Sequence, residues 1–223
     1  MLPAGCALHT TRLRLAGSGR EEMLAMAASV EAGASLIADV RPDLIVFHCT
    51  AVSTLDPRLG EDVIRRIEAE TGRPATATSR ALVAAFAALQ ARRIALLTPY
   101  VAEVNQSEIG FLAHHGIEVA AERGLGCRSG VEMAAIEPGA WYRHGMAMRR
   151  DGVDAYFISC TTIRVSPAIE ALERDLGRPV VTSNQAMTWH CLRRAGINEP
   201  VSGYGRLLRE ACTAPGIGAK LPA

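Results

Sequence analysis

Two short apolar runs, 111 residues apart, end in the same pair of residues. The first is "DLIVFHCT" (Asp43–Thr50) and the second is "DAYFISCT" (Asp154–Thr161). Each opens on an aspartate, continues through four apolar residues and one polar residue, and closes on Cys-Thr. A run this short, apolar on both faces, predicts a strand of a parallel sheet covered by helices on either side. Parallel neighbours need crossover connections, so these two runs commit the chain to an alternating strand–helix architecture.

The surroundings of the two runs match as well. Each is followed by a helical segment and then by Gly-Arg-Pro leading a second stretch, "TGRPATATS" (Thr71–Ser79) and "LGRPVVTSN" (Leu176–Asn184). Upstream, "LHTTRLRL" stands opposite "IEVAAERGL" at a similar offset. The same elements in the same order predict two copies of one α/β lobe. The first copy reads as a strand at Ala7–Leu15, a helix at Arg20–Val40 with acids in its first turn, and the strand "DLIVFHC". A helix around "DPRLGEDVIRRIEAETG", a strand "PATATS" and a helix "RALVAAFAALQA" complete it. The second copy reads as strand "RIALLTP", helix "VAEVNQSEIGFLAHHG" and strand "IEVAAERG". A helix around Val131–Ile136 leads through Glu137–Pro138–Gly139 to the next, "GAWYRHGMAMRRDG". Strand "DAYFISC", helix "SPAIEALERDLG", strand "PVVTSN" and helix "QAMTWHCLRRAG" follow.

Lobe one is assigned residues 1–90 with 185–223, and lobe two residues 91–184. The lobe-one counterpart of Arg93–Tyr100 would precede Met1. Lobe one is therefore expected to lack its first strand and the loop after it, either because the start lies late or because the lobe closes differently. An unpaired parallel edge invites association, and a homo-oligomer, dimer or higher, is expected.

Composition narrows the partners. The chain has 223 residues, 49% hydrophobic and 21% charged, with a formal net charge of +1. No field draws it to nucleic acid or an anionic membrane, and 4% aromatic residues make no base-stacking platform. No apolar run approaches the roughly 18 residues of a membrane span, and "MLPAGCALHTTRLRL" lacks the order of a signal peptide. A cytoplasmic protein is expected, with its six cysteines reduced. Metal-ligand spacing is absent at His114–His115 and His190–Cys191, and there is no C-x-x-C. Neither a metal nor a cofactor is expected.

Ligands of open α/β sheets sit beyond the carboxyl ends of the strands, where Cys49 and Cys160 stand. If the lobes face each other about a pseudo-twofold axis, the two thiols flank one cleft. A pair of thiols can act on opposite faces of a planar carbon, each as nucleophile, base or acid. The thiolate is the reactive form, and N–H groups of the turn after each cysteine are expected to lower its pKa. Those N–H groups, with the hydroxyls of Thr50, Ser53, Thr161 and Thr162, predict a site for a carboxylate or an enediolate. Cys6, Cys127, Cys191 and Cys212 lack this context and are assigned to packing or surface.

Duplicated lobes that each end a strand in a cysteine resemble the aspartate/glutamate racemase superfamily, and within it the branch of maleate cis–trans isomerases and arylmalonate decarboxylases. The resemblance runs through "LHTTRLRL", "HCTAVS", "LLTPYVAEVNQ", "SGVEMAAIEP", "SCTTIRVSPAIEALERDLGRPVVTSNQA" and "GYGRLL". It implies two pseudo-symmetric flavodoxin-like lobes with the active site between them. It also implies that Tyr100 binds a substrate carboxylate and that Thr50 helps form a dioxyanion pocket. The decarboxylases have glycine where Cys49 stands. Retention of Cys49 points to a cofactor-independent isomerase of a small dicarboxylate, maleate to fumarate, with Cys49 as nucleophile and Cys160 moving the balancing proton. The racemases' Cys-Asn-Thr and Cys-Thr-His are replaced here by Cys-Thr-Ala and Cys-Thr-Thr. The isomerases' asparagine after the first strand has no counterpart, and another of theirs falls near Gly130. A two-thiol racemase or epimerase and an arylmalonate-type decarboxylase are alternatives. A non-catalytic carboxylate-binding pseudo-enzyme is an alternative of another class.

Weaker signals read as structure. "GLGCRSG" (Gly124–Gly130) lacks the order of a phosphate loop and is read as a turn. Asn184 and Gln185 line the cleft or cap the next helix. His48 should point away from Cys49, and Arg164 is read as a surface arginine.

Overall fold

The computed structural model describes residues 1–17 and 19–210. Its first part contains α1 (Arg20–Ala28), α2 (Val30–Ala38), β1 (Ile45–Phe47), α3 (Thr50–Ser53), α4 (Leu59–Thr71), β2 (Ala75–Ala77) and α5 (Thr78–Ala88). Next come β3 (Arg93–Thr98), α6 (Ala102–His114), β4 (Glu118–Gly124), α7 (Gly130–Ala135), α8 (Pro138–Ala147) and β5 (Ala155–Ile158). A 3-10 turn at Ser166–Ala168 leads into α9 (Ile169–Leu176), β6 (Val180–Thr182), α10 (Ser183–Arg194) and α11 (Arg206–Glu210). The strands form two parallel sheets, β1-β2 and β4-β3-β5-β6.

The duplication is visible in the hydrogen bonds. Phe47 sits opposite Ala77, and Ile158 opposite Thr182, so each cysteine lies two residues beyond a matched register. The Gly-Arg-Pro signature has one physical meaning in both copies. Gly72 and Gly177 end α4 and α9 in the left-handed region, with φ of 64° and 70°, a conformation glycine adopts without steric cost. The proline then cannot continue a helix, and its carbonyl starts the ladder. Pro74 accepts from the Ile45 N–H and Pro179 from the Tyr156 N–H, each at 2.9 Å. A helical glutamate covers the next strand N–H in both: Glu68 takes that of Ala75 at 3.0 Å, Glu173 that of Val180 at 2.9 Å.

Two expectations fail locally. Ala7–Leu15 forms no strand. Its counterpart β4 pairs with β3, and no lobe-one equivalent of β3 exists among the described residues, so this stretch has no ladder to join. Leu13 instead packs on α2, where a Cβ on Gly33 would come within 2.5 Å of its Cδ2. The helix expected over Arg20–Val40 is two helices. Ser29 interrupts it by donating its hydroxyl to the Met26 carbonyl at 2.8 Å, competing with the helical ladder. α7 and α8 are separated differently, by the extended backbone of Ile136 and Glu137 ahead of Pro138.

One apolar cluster joins β1, β2, α4, α8, α9 and both strand-end cysteines. The other joins α5, α10, α11 and the opposite face of the larger sheet. Phe86 of α5 meets Phe157 of β5 edge to face, with centroids 5.5 Å apart. After β6 the chain returns over the smaller sheet. His190 Nε2 of α10 lies 3.2 Å from Thr76 Oγ1, and Arg194 donates to the Ala75 carbonyl at 2.9 Å.

Candidate active site

β1 and β5 bring Cys49 and Cys160 to equivalent strand ends, and both are buried, 9% and 4% exposed. Cys49 has ordinary extended backbone and caps α3. Cys160 does not: its φ of 111° lies in a region that favours glycine, and such strain persists where the surroundings impose it. Ser183, the first residue of α10, ties the two ends together. Its Oγ accepts from the Cys160 N–H at 3.1 Å and from Thr50 Oγ1 at 2.8 Å. A second bridge runs alongside it. His48 Nε2 meets Asn184 Oδ1 at 2.8 Å, His48 Nδ1 meets Thr78 Oγ1 at 3.1 Å, and Asn184 donates to the Thr161 carbonyl at 3.2 Å.

The Cys160 thiol is richly contacted. The Thr162 N–H reaches its sulfur at 3.4 Å, and the hydroxyls of Thr162 and Tyr100 bond to it as well. Met133 Sδ lies 4.0 Å away. Cys49 accepts from the Val52 N–H and feels the charge of Cys160, which places the two sulfurs within electrostatic reach of each other. The turn N–H groups do act to lower both thiols, as expected, but they do not set the outcome. Burial outweighs them, pushing Cys49 up to about 11 and Cys160 upward too. At pH 7 a thiol of that strength is ionised in about one molecule in 10⁴.

Tyr100 is buried, and burial first, then the charges of Cys160, Glu108 and Cys49, holds its hydroxyl well above the usual phenol range. It therefore acts as a hydrogen-bond donor. The turn at Gly124–Gly130 braces its loop: the Gly126 N–H bonds the Tyr100 carbonyl at 3.1 Å and the Cys127 N–H bonds that of Pro99 at 2.8 Å. A Cβ on Gly124 would lie 2.6 Å from the Tyr100 carbonyl oxygen. Of the other expected residues, Ser53 turns inward, donating to the Thr50 carbonyl at 3.2 Å and accepting from the Ser79 N–H at 3.1 Å. Thr161 contributes its carbonyl to Asn184. Gln185 completes a capping box with Thr182. Arg164 pairs with Glu137 at 2.8 Å on the surface. Cys6, Cys127 and Cys191 are partly buried free thiols, and Cys212 lies outside the described residues.

Ser183 and Glu108 are missing from the expected set. Glu108 is fully buried on α6, its Oε1 accepting from Ser159 Oγ at 2.7 Å. The signal was present: Val104, Glu108, Phe111 and Leu112 follow helical spacing, so an acid interrupts an otherwise apolar stripe. For Ser183, its match in the other copy is Thr78, which also sits just after a β-strand and turns back to the cysteine strand.

Parallel strands that each end in a buried cysteine, with their ends tied together through Ser183, define an α/β protein with two thiols at matched strand ends. The arylmalonate decarboxylase family model matches residues 5–208. Maleate isomerase of Nocardia farcinica is 32% identical over 213 residues, 91% of this chain and 83% of that protein. Arylmalonate decarboxylase of Bordetella bronchiseptica is 34% identical over 147 residues, 63% of this chain and 60% of that protein. A solved cysteine-to-serine variant of Nocardia farcinica maleate cis–trans isomerase, with a covalently bound succinylcysteine intermediate, superposes with a TM-score of 0.86 at 27% identity, covering 93% of this chain and 89% of that one. The chain belongs to the arylmalonate decarboxylase family, within the branch of the aspartate/glutamate racemase superfamily that its sequence resembles.

Proposed function

We propose that this protein is a cofactor-independent cis–trans isomerase of a small dicarboxylate, converting maleate to fumarate at Cys49 and Cys160. The observation that carries the reading is the pair of buried, electrostatically coupled cysteines at strand ends that Ser183 ties together, accepting from the Cys160 N–H and the Thr50 hydroxyl. Cys49, as thiolate, adds to one alkene carbon. The C–S bond forms as the π bond opens, and the electron pair passes to the neighbouring carbon, delocalised into its carboxylate as an enediolate. The former double bond, now single, rotates. Cys160 lends a proton to the enediolate, giving the thioether-linked succinyl adduct, and takes it back before the thiolate leaves. Expulsion of Cys49 sulfur restores the alkene in the trans form, with no net gain or loss of protons. Thr50, Thr161, Thr162, Ser53 and Tyr100 are assigned to the substrate's carboxylates and the developing charge, Ser53 through the turn it braces.

The succinylcysteine held by the Nocardia farcinica isomerase supports an addition step of this kind. Arylmalonate decarboxylation is the second reading, favoured by the relative from Bordetella bronchiseptica. Cys49 weighs against it, because that chemistry resembles a site with one thiol. We further assign 1–90 with 185–223 to one lobe and 91–184 to the other, consistent with the return of α10 over the smaller sheet. A homo-oligomer in the cytoplasm fits the unpaired edge of β1 among the described residues and a chemistry that requires reduced thiols. Replacing Cys49 by Ser and following the ultraviolet absorbance of maleate tests the function. Turnover should fall at least ~10³-fold, as expected when a nucleophile is lost, and unchanged turnover rules Cys49 out.

A further inference from the structure

Most of the donors expected to meet a substrate are already committed within the protein. Ser53 Oγ donates to the Thr50 carbonyl at 3.2 Å, and Thr50 Oγ1 to Ser183 Oγ at 2.8 Å. The hydroxyls of Tyr100 and Thr162 bond to the Cys160 sulfur. Both ring nitrogens of His48 are engaged, by Thr78 and Asn184. A dicarboxylate brings a second anionic group to this site, and that group needs a donor that is still free.

Asn184 holds one. It is the second residue of α10, directly after Ser183, and its side chain spans the two cysteine strand ends. On one side Oδ1 meets Nε2 of His48, the residue before Cys49, at 2.8 Å. On the other, Nδ2 donates at 3.2 Å to the carbonyl of Thr161, the residue after Cys160. The two bonds fix the amide, because a flip would set its oxygen against the Thr161 carbonyl oxygen. An amide nitrogen carries two N–H groups, and this one uses only the first. Among the described residues, no acceptor meets the second, and the Thr161 hydroxyl is likewise unengaged. Exposure singles out the same place. Cys49, Thr50, Cys160 and Ser183 are buried, whereas His48 and Thr162 are exposed and Thr161 and Asn184 half-buried. These four residues form a solvent-facing polar rim beside the thiols. Asn184 also lies in the first turn of a 12-residue helix, whose N-terminus favours an anion.

We infer that Asn184 is a substrate-binding residue: its free N–H, with the Thr161 hydroxyl beside it, receives the second carboxylate of the dicarboxylate and selects for doubly carboxylated ligands. The amide is already oriented by His48 and Thr161, so this bond forms without rearrangement. The first carboxylate, conjugated to the carbon that gains charge, is left to Thr50 and Tyr100, which exchange internal bonds for it. The inference rests on the isomerase reading above and deepens it, by naming what distinguishes a substrate with two carboxylates from one with a single carboxylate.

The test is calorimetric titration of the full-length protein with two unreactive ligands. Succinate has the two carboxylates of maleate without its double bond, and in butyrate a methyl group replaces one carboxylate. Wild type should bind succinate more tightly than butyrate. Losing a hydrogen bond to a carboxylate weakens binding roughly 10- to 100-fold. Asn184→Ala should lose that much for succinate, while butyrate changes by less than about threefold. Asn184→Asp keeps the side chain's shape and its acceptor for His48 but sets a charge against the ligand, and should lose at least as much. It carries the test alone if the alanine variant fails to fold. A merely structural role would weaken both ligands alike. Equal losses for the two ligands, an unchanged succinate affinity, or no preference for succinate in wild type overturns the inference. Because titration needs no turnover, a protein inactive on maleate that still shows the Asn184-dependent preference would refute the isomerase reading while leaving this assignment standing.

Discussion

Glu108→Gln tests how burial couples stability to pH in this fold, because two buried groups oppose each other. Burial raises Glu108 from 4.5 to about 7 and lowers His190 from 6.5 to about 4, the latter with help from the charges of Arg194 and Arg80. At about 1.4 kcal/mol per pKa unit, each group is linked to about 3 kcal/mol. The signs differ. Above pH 4.5 the unfolded chain ionises its glutamate while the folded protein holds the proton, so the glutamate's contribution falls as pH rises to about 7. Below pH 6.5 the unfolded chain protonates its histidine while the folded protein resists, so the histidine's contribution falls as pH drops to about 4. Between pH 4.5 and 6.5 the two nearly cancel. Urea unfolding across pH 4.5–7.5 reads this directly. Relative to wild type, Glu108→Gln should gain about 3 kcal/mol on going from the acid to the neutral end, and His190→Gln should lose a comparable amount. Other groups, such as the buried Glu173, cancel in these differences. The amide's own unmet hydrogen bonds shift the curve without tilting it. Curves parallel to wild type for both variants would refute the reasoning.

Two further predictions follow from the strand ends. Ser183→Ala leaves the Cys160 N–H and the Thr50 hydroxyl without their acceptor, and should cost about 2–4 kcal/mol in urea unfolding and reduce maleate turnover more than it changes substrate affinity. Alkylation of Cys49 should climb about tenfold per pH unit from pH 7 toward a midpoint near 11. A midpoint below pH 9 would show that burial does not govern this thiol.

What was legible in the sequence is what local chemistry dictates. Four apolar residues closing on Cys-Thr announce a covered parallel strand. Glycine before Arg-Pro can only end a helix and start a strand, and the structure uses it so at both Gly72 and Gly177. The rest depends on partners distant in the chain. Ala7–Leu15 alternates like a strand, but alternation creates no ladder where no neighbour is available. Ser29 looks helical by composition, and only its hydroxyl's bond to Met26 reveals the break. The thiol pKa values were read from the N–H groups following each cysteine, whereas the opposing desolvation comes from residues brought in from distant parts of the chain. Glu108 was legible as an acid on an apolar stripe, but its meaning required knowing that the stripe packs against Ser159.

The central claim is that Cys49 sulfur bonds to the substrate while Cys160 manages the proton. The most direct measurement is intact-protein and peptide mass spectrometry of Cys160→Ala after incubation with maleate. The account predicts a covalent adduct of one maleate per chain, its enediolate protonated by solvent and then trapped because no Cys160 is present to take the proton back, mapped to Cys49 and abolished when Cys49 is also replaced. An adduct mapped to another cysteine, or no adduct in any variant of a protein that turns maleate over, would contradict it.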